Sequence, residues 1–350
     1  MIAGGKVVND YPVSVRSKIL NLNTLQVHVK KLRLLIAVAV CFASVSVNSQ
    51  GDFYAPALES MVTFNPAAAG AEGDGTLRML YIMRYPERNF NLHYLSVSYD
   101  TYISLLHGGI SGFVTDNYQG GIINNISGGL SYSYHLQAGR DLFINAGLSA
   151  VFQHRGINSR DIIMPDQIDP VRGPVLPSGE IINGRGRTVF DVGTGFMIMS
   201  GNYTGGISVN HLAKPDMAGR NASEDQLPWH FTIFSMTIFN LSQKSRLNLQ
   251  PLLLFDLYGK DITAEAGAML GTEKASVSSL FSFMSNGDVN LQSGFSFQIF
   301  KGLFFYNYCF NLTSVNGMLP FTMYHMAGLS ISLNNVDKRK VIKAIKFPNL

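Results

Sequence analysis

Apolar and small polar residues alternate along about fourteen short segments that follow residue 75. The run 128–134, for example, has Leu130, Tyr132 and Tyr134 on one face and glycine or serine on the other, the period of two of a half-buried strand. Strands of roughly ten residues with a bulky apolar face and a small polar face are typical of a closed barrel with lipid outside and a polar lumen. The pattern therefore predicts an all-β fold, a transmembrane antiparallel β-barrel of the outer membrane.

Clusters of Gly, Pro, Asn and Asp separate these segments and give the predicted strand boundaries. The predicted strands span 77–85, 90–100, 106–116, 127–136, 142–154, 188–199, 202–211, 229–239, 246–257, 260–270, 275–284, 289–299, 303–313 and 323–333. Fourteen is an even number, as is usual for a single-chain bacterial barrel, and twelve or sixteen strands remain alternatives. If both chain ends face the periplasm, the turns there are short and the longest connections, 117–126, 155–187, 212–228 and 314–322, are extracellular loops.

Residues 1–49 are predicted to be an N-terminal extension and a secretory signal peptide that is removed. A basic cluster at 30–33 precedes the apolar run 34–47, and small residues near Ser49 offer a cleavage site. Lipid attachment at Cys41 is the alternative, although Val precedes this cysteine where lipid signals have Gly, Ala or Ser. Either interpretation implies export of the chain.

Removal of the signal makes the chain nearly neutral, because residues 1–50 hold six Lys or Arg and one acid. The whole-chain balance of 27 Lys and Arg against 23 Asp and Glu becomes 21 against 22. The basic excess therefore does not indicate a nucleic-acid partner. Cys309 is the single cysteine left after processing, which excludes an intramolecular disulfide and predicts a packed thiol.

Two segments flank the predicted barrel, which we place at 76–334. Segment 50–75 is too rich in Ala, Gly and Pro for a membrane strand, and we predict a periplasmic N-terminal segment or a plug in the lumen; a flexible leader is the alternative. The tail 335–350 is basic and is predicted to be periplasmic, where it could dock on an acidic subunit; a merely solvated tail is the alternative.

Motifs of catalysis are absent from the sequence. It contains no G-x-S-x-G elbow, no H-E-x-x-H zinc helix and no phosphate-binding loop, and its eight histidines are scattered. Some barrel enzymes place Ser and His on neighbouring strands without a local motif, so an outer-membrane enzyme stays the least favoured hypothesis. The sequence predicts no enzyme, no cofactor and no metal site.

Partner-binding candidates lie in the long predicted loop, at the end of the seventh predicted strand and in the basic tail. They are Arg155, Arg160, Asp161, Asp166, Asp169, Arg172, Arg185, Arg187, His211, Lys214, Lys338, Arg339, Lys340 and Lys343. Long loops are often functional, so loop 155–187 is predicted to dock a partner or cover the lumen, with a solvated cap as the equal alternative. Its aspartates lack EF-hand spacing, and His211 is better explained as a structural residue at a bend.

Aromatic residues at predicted strand ends are interpreted as an interfacial girdle or as barrel packing rather than as a binding site. They are Tyr85, Tyr94, Tyr99, Trp229, Phe304, Phe305 and Tyr306.

Several runs resemble the PorP/SprF family in order along the chain. Residues 64–70, F-N-P-A-A-A-G, resemble its N-P-A-x-A-G opening, and 81–86 resemble its Y-R-x-x-W-P region with Tyr in place of Trp. Further similar blocks are 98–102, 107–112, 131–136, 165–170, 210–215 and 324–325. The order and spacing of these blocks carry the resemblance over nearly the whole mature chain.

This resemblance implies an outer-membrane barrel of type IX protein secretion and, in gliding bacteria, of gliding motility. The implied partners are outer-membrane lipid, the secretion translocon or its periplasmic ring subunits, and a secreted adhesin-like cargo bound through its C-terminal signal domain. It implies no catalysis. An outer-membrane porin or a transporter of hydrophobic substrates is the alternative, and a continuous hydrated channel would favour it.

Overall fold

Alternating bulky and small residues form long antiparallel strands in the computed structural model. The structure describes residues 61–86, 92–158, 165–169, 171–175, 186–217, 226–242, 246–272, 274–313 and 321–333. These residues belong to one compact unit, Val47–Leu350. The predicted signal region 1–49 and the predicted tail 335–350 lie outside the described residues.

The described strands follow one another with short helical pieces between some of them. They are β1 Thr76–Arg84, β2 Leu92–Ile103, β3 Gly108–Gln119, β4 Ile123–Gln137, β5 Leu142–Ile157, β6 Ile168–Asp169, β7 Gly173–Pro174, β8 Arg187–Ser200, β9 Tyr203–Asn210, β10 His230–Thr237, β11 Phe239–Ser242, β12 Leu247–Tyr258, β13 Asp261–Gly271, β14 Ala275–Met284, β15 Val289–Ile299, β16 Gly302–Thr313 and β17 Thr322–Ser332. The helical pieces are one α-helical turn, Met61–Phe64, and the 3₁₀ turns Pro66–Ala68, Ser104–Leu106 and Pro165–Gln167. In the described part of the chain, no helix has the length and apolar character needed to cross a membrane.

The strands close into a ring. β1 pairs with β2 on one side and with β17 on the other, and every pairing is antiparallel. β10 and β11 both pair with β12 and are two halves of one strand interrupted at Ile238, while β6 and β7 form a separate hairpin within a loop. The described strands thus form a fourteen-stranded antiparallel barrel, and the predicted fold class is confirmed.

The two faces of each strand have the predicted character. In β4, Leu130 and Tyr132 are exposed on the outside, whereas Ser131 and Ser133 are buried against the lumen. The same holds in β5, where Leu148 and Phe152 point outward. Large apolar side chains therefore surround the barrel as a belt that lipid can cover.

The barrel has two unlike ends. The end that carries the short connections 104–107, 138–141, 201–202, 243–246, 272–274 and 300–301 is called the turn end, and the opposite end, with connections 158–186 and 211–229, is called the loop end. The long connections leave one end, as the sequence predicts. The predicted loop 117–126 is wrong, because β3 and β4 continue to a connection of three residues, 120–122. The polar residues of this region extend the backbone pairing beyond the apolar belt instead of ending it.

Side chains fill the lumen beside the closing seam. Leu80, Ile82, Tyr94, Phe305 and Met326 form one buried cluster there. Of the two interpretations given for the aromatic residues, Tyr94 and Phe305 fit barrel packing and not an interfacial girdle, since each is buried on the lumen face of its strand. Period-two geometry gives the reason, because both share that face with buried polar residues two positions away.

Candidate functional site

Residues 61–75, hereafter the lumenal segment, lie inside the barrel. The helical turn Met61–Phe64 packs its apolar side chains against the wall, and the Phe64 ring meets Phe234 edge to face at 6.3 Å between ring centroids. Asn65 then caps the turn Pro66–Ala68, because its Oδ1 accepts a hydrogen bond from Ala67 N at 3.0 Å. The N-P-A-A-A-G run thereby becomes a compact, small-residue stretch that fits within the lumen.

Glycines of the wall allow the main chain of the lumenal segment to touch the strands directly. A Cβ atom on Gly109 would stand 2.1 Å from Ala69 O, and one on Gly195 would stand 2.1 Å from Asn65 Oδ1. On Gly147 it would stand 2.3 Å from Ala67 N. At Gly109 and Gly147 the contacts are with backbone atoms, so these two wall positions accept the segment only as glycine, whereas at Gly195 the contact is with the side chain of Asn65.

Side chains of the wall hydrogen-bond the main chain of the lumenal segment. Asn210 Nδ2 donates to Phe64 O at 2.6 Å, Ser133 Oγ and Asn145 Nδ2 donate to Ala67 O at 3.0 and 3.2 Å, and His135 Nε2 bonds Ala69 O at 3.0 Å. In return, Gly70 N donates to Asp100 Oδ2 at 2.9 Å. The peptide groups of the segment thus find in the wall the partners that they would otherwise find in water.

An ion network anchors the end of the lumenal segment. The guanidinium of Arg78 on β1 binds the carboxylates of Glu72, in the segment, and Asp100, on β2. Thr76 Oγ1 also donates to Glu72 Oε2 at 2.9 Å. Asp100 is 1% exposed, so its charge depends on Arg78 and on the amide of Gly70 for compensation.

A second polar cluster, the loop-end histidine network, lies on the lumen side near the other end of the barrel. His211 Nδ1 lies 2.5 Å from Asp191 Oδ2, and His230 Nε2 lies 2.7 Å from Asp256 Oδ1. The two imidazole rings stack at 6.4 Å between centroids, and Thr232 Oγ1 also donates to Asp256 at 2.7 Å. The network joins β8, the end of β9, β10 and β12 across the wall.

The described parts of the connection 211–229, residues 211–217 and 226–229, are held close to these strand ends. His211 and Lys214 have positive φ angles of 59° and 44°, which turn the chain sharply after β9. Lys214 Nζ then lies 4.2 Å from the ring centroid of Trp229, and Arg187 Nη1 lies 3.5 Å from Asp216 Oδ2. Contacts of this kind give the loop end a defined surface of charged and aromatic groups.

The structure brings some predicted site residues together and separates others. Arg187, His211 and Lys214 all lie at the loop end of β8 and β9, where they contact Asp216, Asp191 and Trp229 respectively. Arg155 instead is on the lumen face of β5, where its Nε donates to Asn125 Oδ1 at 3.0 Å. Asp166, Asp169 and Arg172 lie in the separate stretch that holds the β6–β7 hairpin. The remaining candidates, Arg160, Asp161, Arg185, Lys338, Arg339, Lys340 and Lys343, lie outside the described residues.

Asp169 organises its own turn. Its Oδ1 accepts hydrogen bonds from the amides of Val171 and Arg172, each at 2.8 Å. These two backbone hydrogen bonds hold the pKa of the Asp169 carboxyl below its usual value. The carboxylate therefore accepts hydrogen bonds within the hairpin. The nearby Arg172 side chain is exposed and presents its positive charge to solvent.

The sequence interpretation missed the residues that face the lumen. Asp191, His230 and Asp256 complete the histidine network, and Ser133 and Asn145 hold the lumenal segment. The alternation carried a signal for Ser133 and Asn145, which stand on faces of β4 and β5 rich in small and polar residues. It carried none for His230 and Asp256, because their faces of β10 and β12 also hold large apolar residues such as Phe234 and Leu254. No group of three or more His, Cys, Asp or Glu residues in the described ranges is arranged to hold a metal ion.

Comparison with known proteins gives a family. The sequence model of the family described as type IX secretion system membrane protein PorP/SprF matches residues 47–331. No curated protein matches the chain.

Solved structures with a similar fold are bacterial outer-membrane proteins of low sequence identity. Omp33 of Acinetobacter baumannii is 10% identical, with 75% of this chain and 100% of that chain covered and a TM-score of 0.45. The toluene transporter TbuX of Ralstonia pickettii is 12% identical, with 82% and 95% covered and a TM-score of 0.47. The P. putida toluene transporter TodX is 13% identical, with 84% and 96% covered and a TM-score of 0.45. At these identities and TM-scores the three structures indicate no function for this chain.

The family match spans most of the chain, including the lumenal segment and nearly every strand of the closed barrel. Together with the apolar belt around that barrel, it locates the protein in the cell outer membrane. The chain belongs to the PorP/SprF family of type IX secretion system membrane proteins.

Proposed function

We propose that this protein is a non-enzymatic accessory of type IX secretion and gliding, which binds secretion-ring subunits, the C-terminal signal domain of a cargo protein, or both. Family membership supports the association with the secretion machinery. The observation that favours a binding role over a channel is the lumenal segment, whose main chain is bonded to the wall on several strands.

The lumenal segment argues against the alternative of a porin. A porin needs a continuous hydrated path through its lumen. Here a helical turn and a 3₁₀ turn lie in that path, and the apolar side chains of Met61, Val62 and Phe64 are buried against the wall. We infer that the segment works as a plug, and that a transporter function would require it to move aside.

Two surfaces are proposed to bind partners. The loop end, with Arg187 and Lys214 fixed beside Asp216 and Trp229, offers cationic and aromatic groups to a cargo domain outside the cell. The basic tail 335–350 would bind an acidic ring subunit in the periplasm. The sidedness follows the general rule that long loops of bacterial barrels are extracellular and short turns periplasmic.

A pull-down in mild detergent tests both surfaces. The tagged mature protein is compared with a variant that lacks residues 337–350 and with the loop-end double variant Arg187→Ala, Lys214→Ala, and bound proteins are identified by mass spectrometry. We expect the tail deletion to lose ring subunits and the double variant to lose cargo. Lys301→Ala is the matched control, because Lys301 is an exposed lysine at the turn end.

The same samples distinguish the alternative. Recovery of no secretion protein by the intact chain, together with steady ion conductance in planar bilayers, would refute the accessory function and support a porin. Conductance that appears only after residues 61–75 are deleted would instead support the plug.

A further inference from the structure

A cavity lies inside the barrel between strands β10 and β16, beside the lumenal segment. It is partly open to solvent, and the empty space in and around it, open solvent included, is about 630 Å³. Its lumen-facing wall consists of two adjacent rows of paired residues. One row joins Gln250, Met269, Ser278, Gly294 and Asn307, and the other joins Leu252, Gly267, Leu280 and Gln292.

The apolar part of the cavity is continuous with the packing of the lumenal segment. Met236, Leu252 and Leu280 line the cavity and also belong to the buried cluster that contains Met61 and Phe64. Phe305 adds an aromatic side chain on the opposite side. A ligand in this space would therefore lie on a surface of thioether, aliphatic and aromatic groups.

The polar groups of the wall are mostly bonded to one another. The hydroxyls of Ser276 and Ser296 lie 2.6 Å apart, and Gln292 Oε1 accepts a hydrogen bond from the Tyr324 hydroxyl at 2.6 Å. Each of these groups therefore already has at least one hydrogen-bond partner in the wall.

Gln250 is the exception. Its side chain is 8% exposed and lines the cavity, and its Nε2 donates to Asn248 Oδ1 at 3.1 Å. Its Oε1 is buried and has no hydrogen-bond partner within the described residues. A buried acceptor without a partner destabilises the fold, and a donor supplied by a ligand would recover that loss. A rotation of the Gln250 side chain would present this oxygen to a ligand in the cavity that donates a hydrogen bond.

The charge of the cavity limits the class of ligand. None of the described residues that line it is ionisable in the neutral range, since the polar ones are Ser, Gln and Asn. An ion would lose its hydration there without gaining a partner of opposite charge. We propose that this cavity binds an uncharged amphipathic small molecule, whose apolar body packs against Leu252, Leu280 and Phe305 and whose single donor group bonds Gln250 Oε1.

Three para-fluorinated probes of equal ring size test this proposal on the full mature protein in lipid nanodiscs. Fluorobenzamide is neutral and donates hydrogen bonds, fluorotoluene is neutral without a donor, and fluorobenzoate is charged. Fluorine NMR line broadening measures saturable binding above that of empty nanodiscs. We expect fluorobenzamide to bind about five- to tenfold more tightly than fluorotoluene, the effect of one hydrogen bond, and fluorobenzoate to show no binding.

Variants separate the cavity from the lipid phase. Gln250→Met keeps the length of the side chain but removes the acceptor, so it should lower the affinity for fluorobenzamide to that for fluorotoluene. Leu280→Trp fills the cavity and should abolish binding of both neutral probes. Leu253→Trp on the lipid face is the matched control, because Leu253 is 39% exposed outside the barrel. Retention of heat-dependent gel mobility shows that each variant still forms the barrel.

Several results would overturn the proposal. They are an absence of saturable fluorobenzamide binding, an equal affinity for fluorobenzoate, or an affinity for fluorobenzamide that Gln250→Met leaves unchanged. Each of these results is measured on the purified protein alone. They are therefore independent of the pull-down, and failure here would leave the proposed secretion function standing.

Discussion

The replacement of Gly147 by alanine tests whether the lumenal segment is held by direct contact between its main chain and the barrel wall. The new Cβ would lie 2.3 Å from Ala67 N and from the carbonyl carbon of Pro66, whereas ordinary van der Waals contact of a Cβ begins at 3.4 Å. The segment would have to move from 2.3 to 3.4 Å, a shift of about 1.1 Å, because both contacts are backbone atoms.

Two independent routes give the free energy of this perturbation. If the segment stays in place, the overpacked methyl group costs about 1–3 kcal/mol. If it moves, the bonds of Ser133 and Asn145 to Ala67 O, at 3.0 and 3.2 Å, lengthen beyond hydrogen-bonding distance. The loss of two such bonds costs about 1–3 kcal/mol as well. The population of segments displaced from the wall should therefore rise about five- to 150-fold.

Hydrogen exchange followed by mass spectrometry measures this population directly. In Gly147→Ala the peptides that cover residues 61–75 should exchange faster by that factor, while the strands keep their protection. Gly128→Ala is the matched control on β4, because a Cβ there meets only Phe113 O at 3.9 Å. Unchanged exchange of the segment in Gly147→Ala would refute the reasoning, as would an equal increase in the control.

Three further changes have expected outcomes. Asp100→Asn leaves Arg78 with one carboxylate instead of two and should destabilise the barrel by about 3–5 kcal/mol. The measurement is the temperature at which the compact form is lost in heat-modified gel mobility. Glu72→Gln removes the more exposed carboxylate and should destabilise the barrel less. Phe234→Ala should cost about 3–5 kcal/mol in the same assay, because this ring is 2% exposed and packs on the lumenal segment, and a loss under about 1 kcal/mol would contradict that packing. The carboxylate of Asp169 has a lowered pKa, so its contribution to the β6–β7 hairpin is present above the ordinary Asp pKa and lost as the pH falls through the lowered value; an NMR titration midpoint at or above the ordinary Asp value would contradict this.

The strands of the barrel were predictable from the sequence because alternation and turn residues are local signals. The predicted segments 275–284 and 289–299 coincide with β14 and β15, which are separated by the turn-forming run Ser-Asn-Gly-Asp. The predicted strand ends were wrong where polar residues continue a strand, as in 117–126, because backbone pairing does not require apolar side chains. The alternation of apolar and polar residues therefore predicts which side chains face lipid more accurately than it predicts where the strand pairing ends.

The contacts within the lumen were not predictable in the same way. His211 and Asp191 meet because β8 and β9 pair in one particular register, and a shift of that register would separate them. The small residues at 65–70 suggested a segment unsuited to the membrane, but their fit depends on glycines that lie far along the chain, at positions such as Gly147 and Gly195. Contacts of this kind join residues that are far apart in the sequence, so no local pattern of residues predicts them.

The closing seam between β1 and β17 has a consequence for folding. Thr76 pairs with Ser332, so the seam joins the two ends of the described barrel and is the contact with the greatest loop-closure entropy. β1 directly follows the lumenal segment, which is enclosed by β4, β5, β8 and β12. We therefore expect the segment to take its place while the sheet is still open, before its own strand β1 pairs with β17 and closes the barrel.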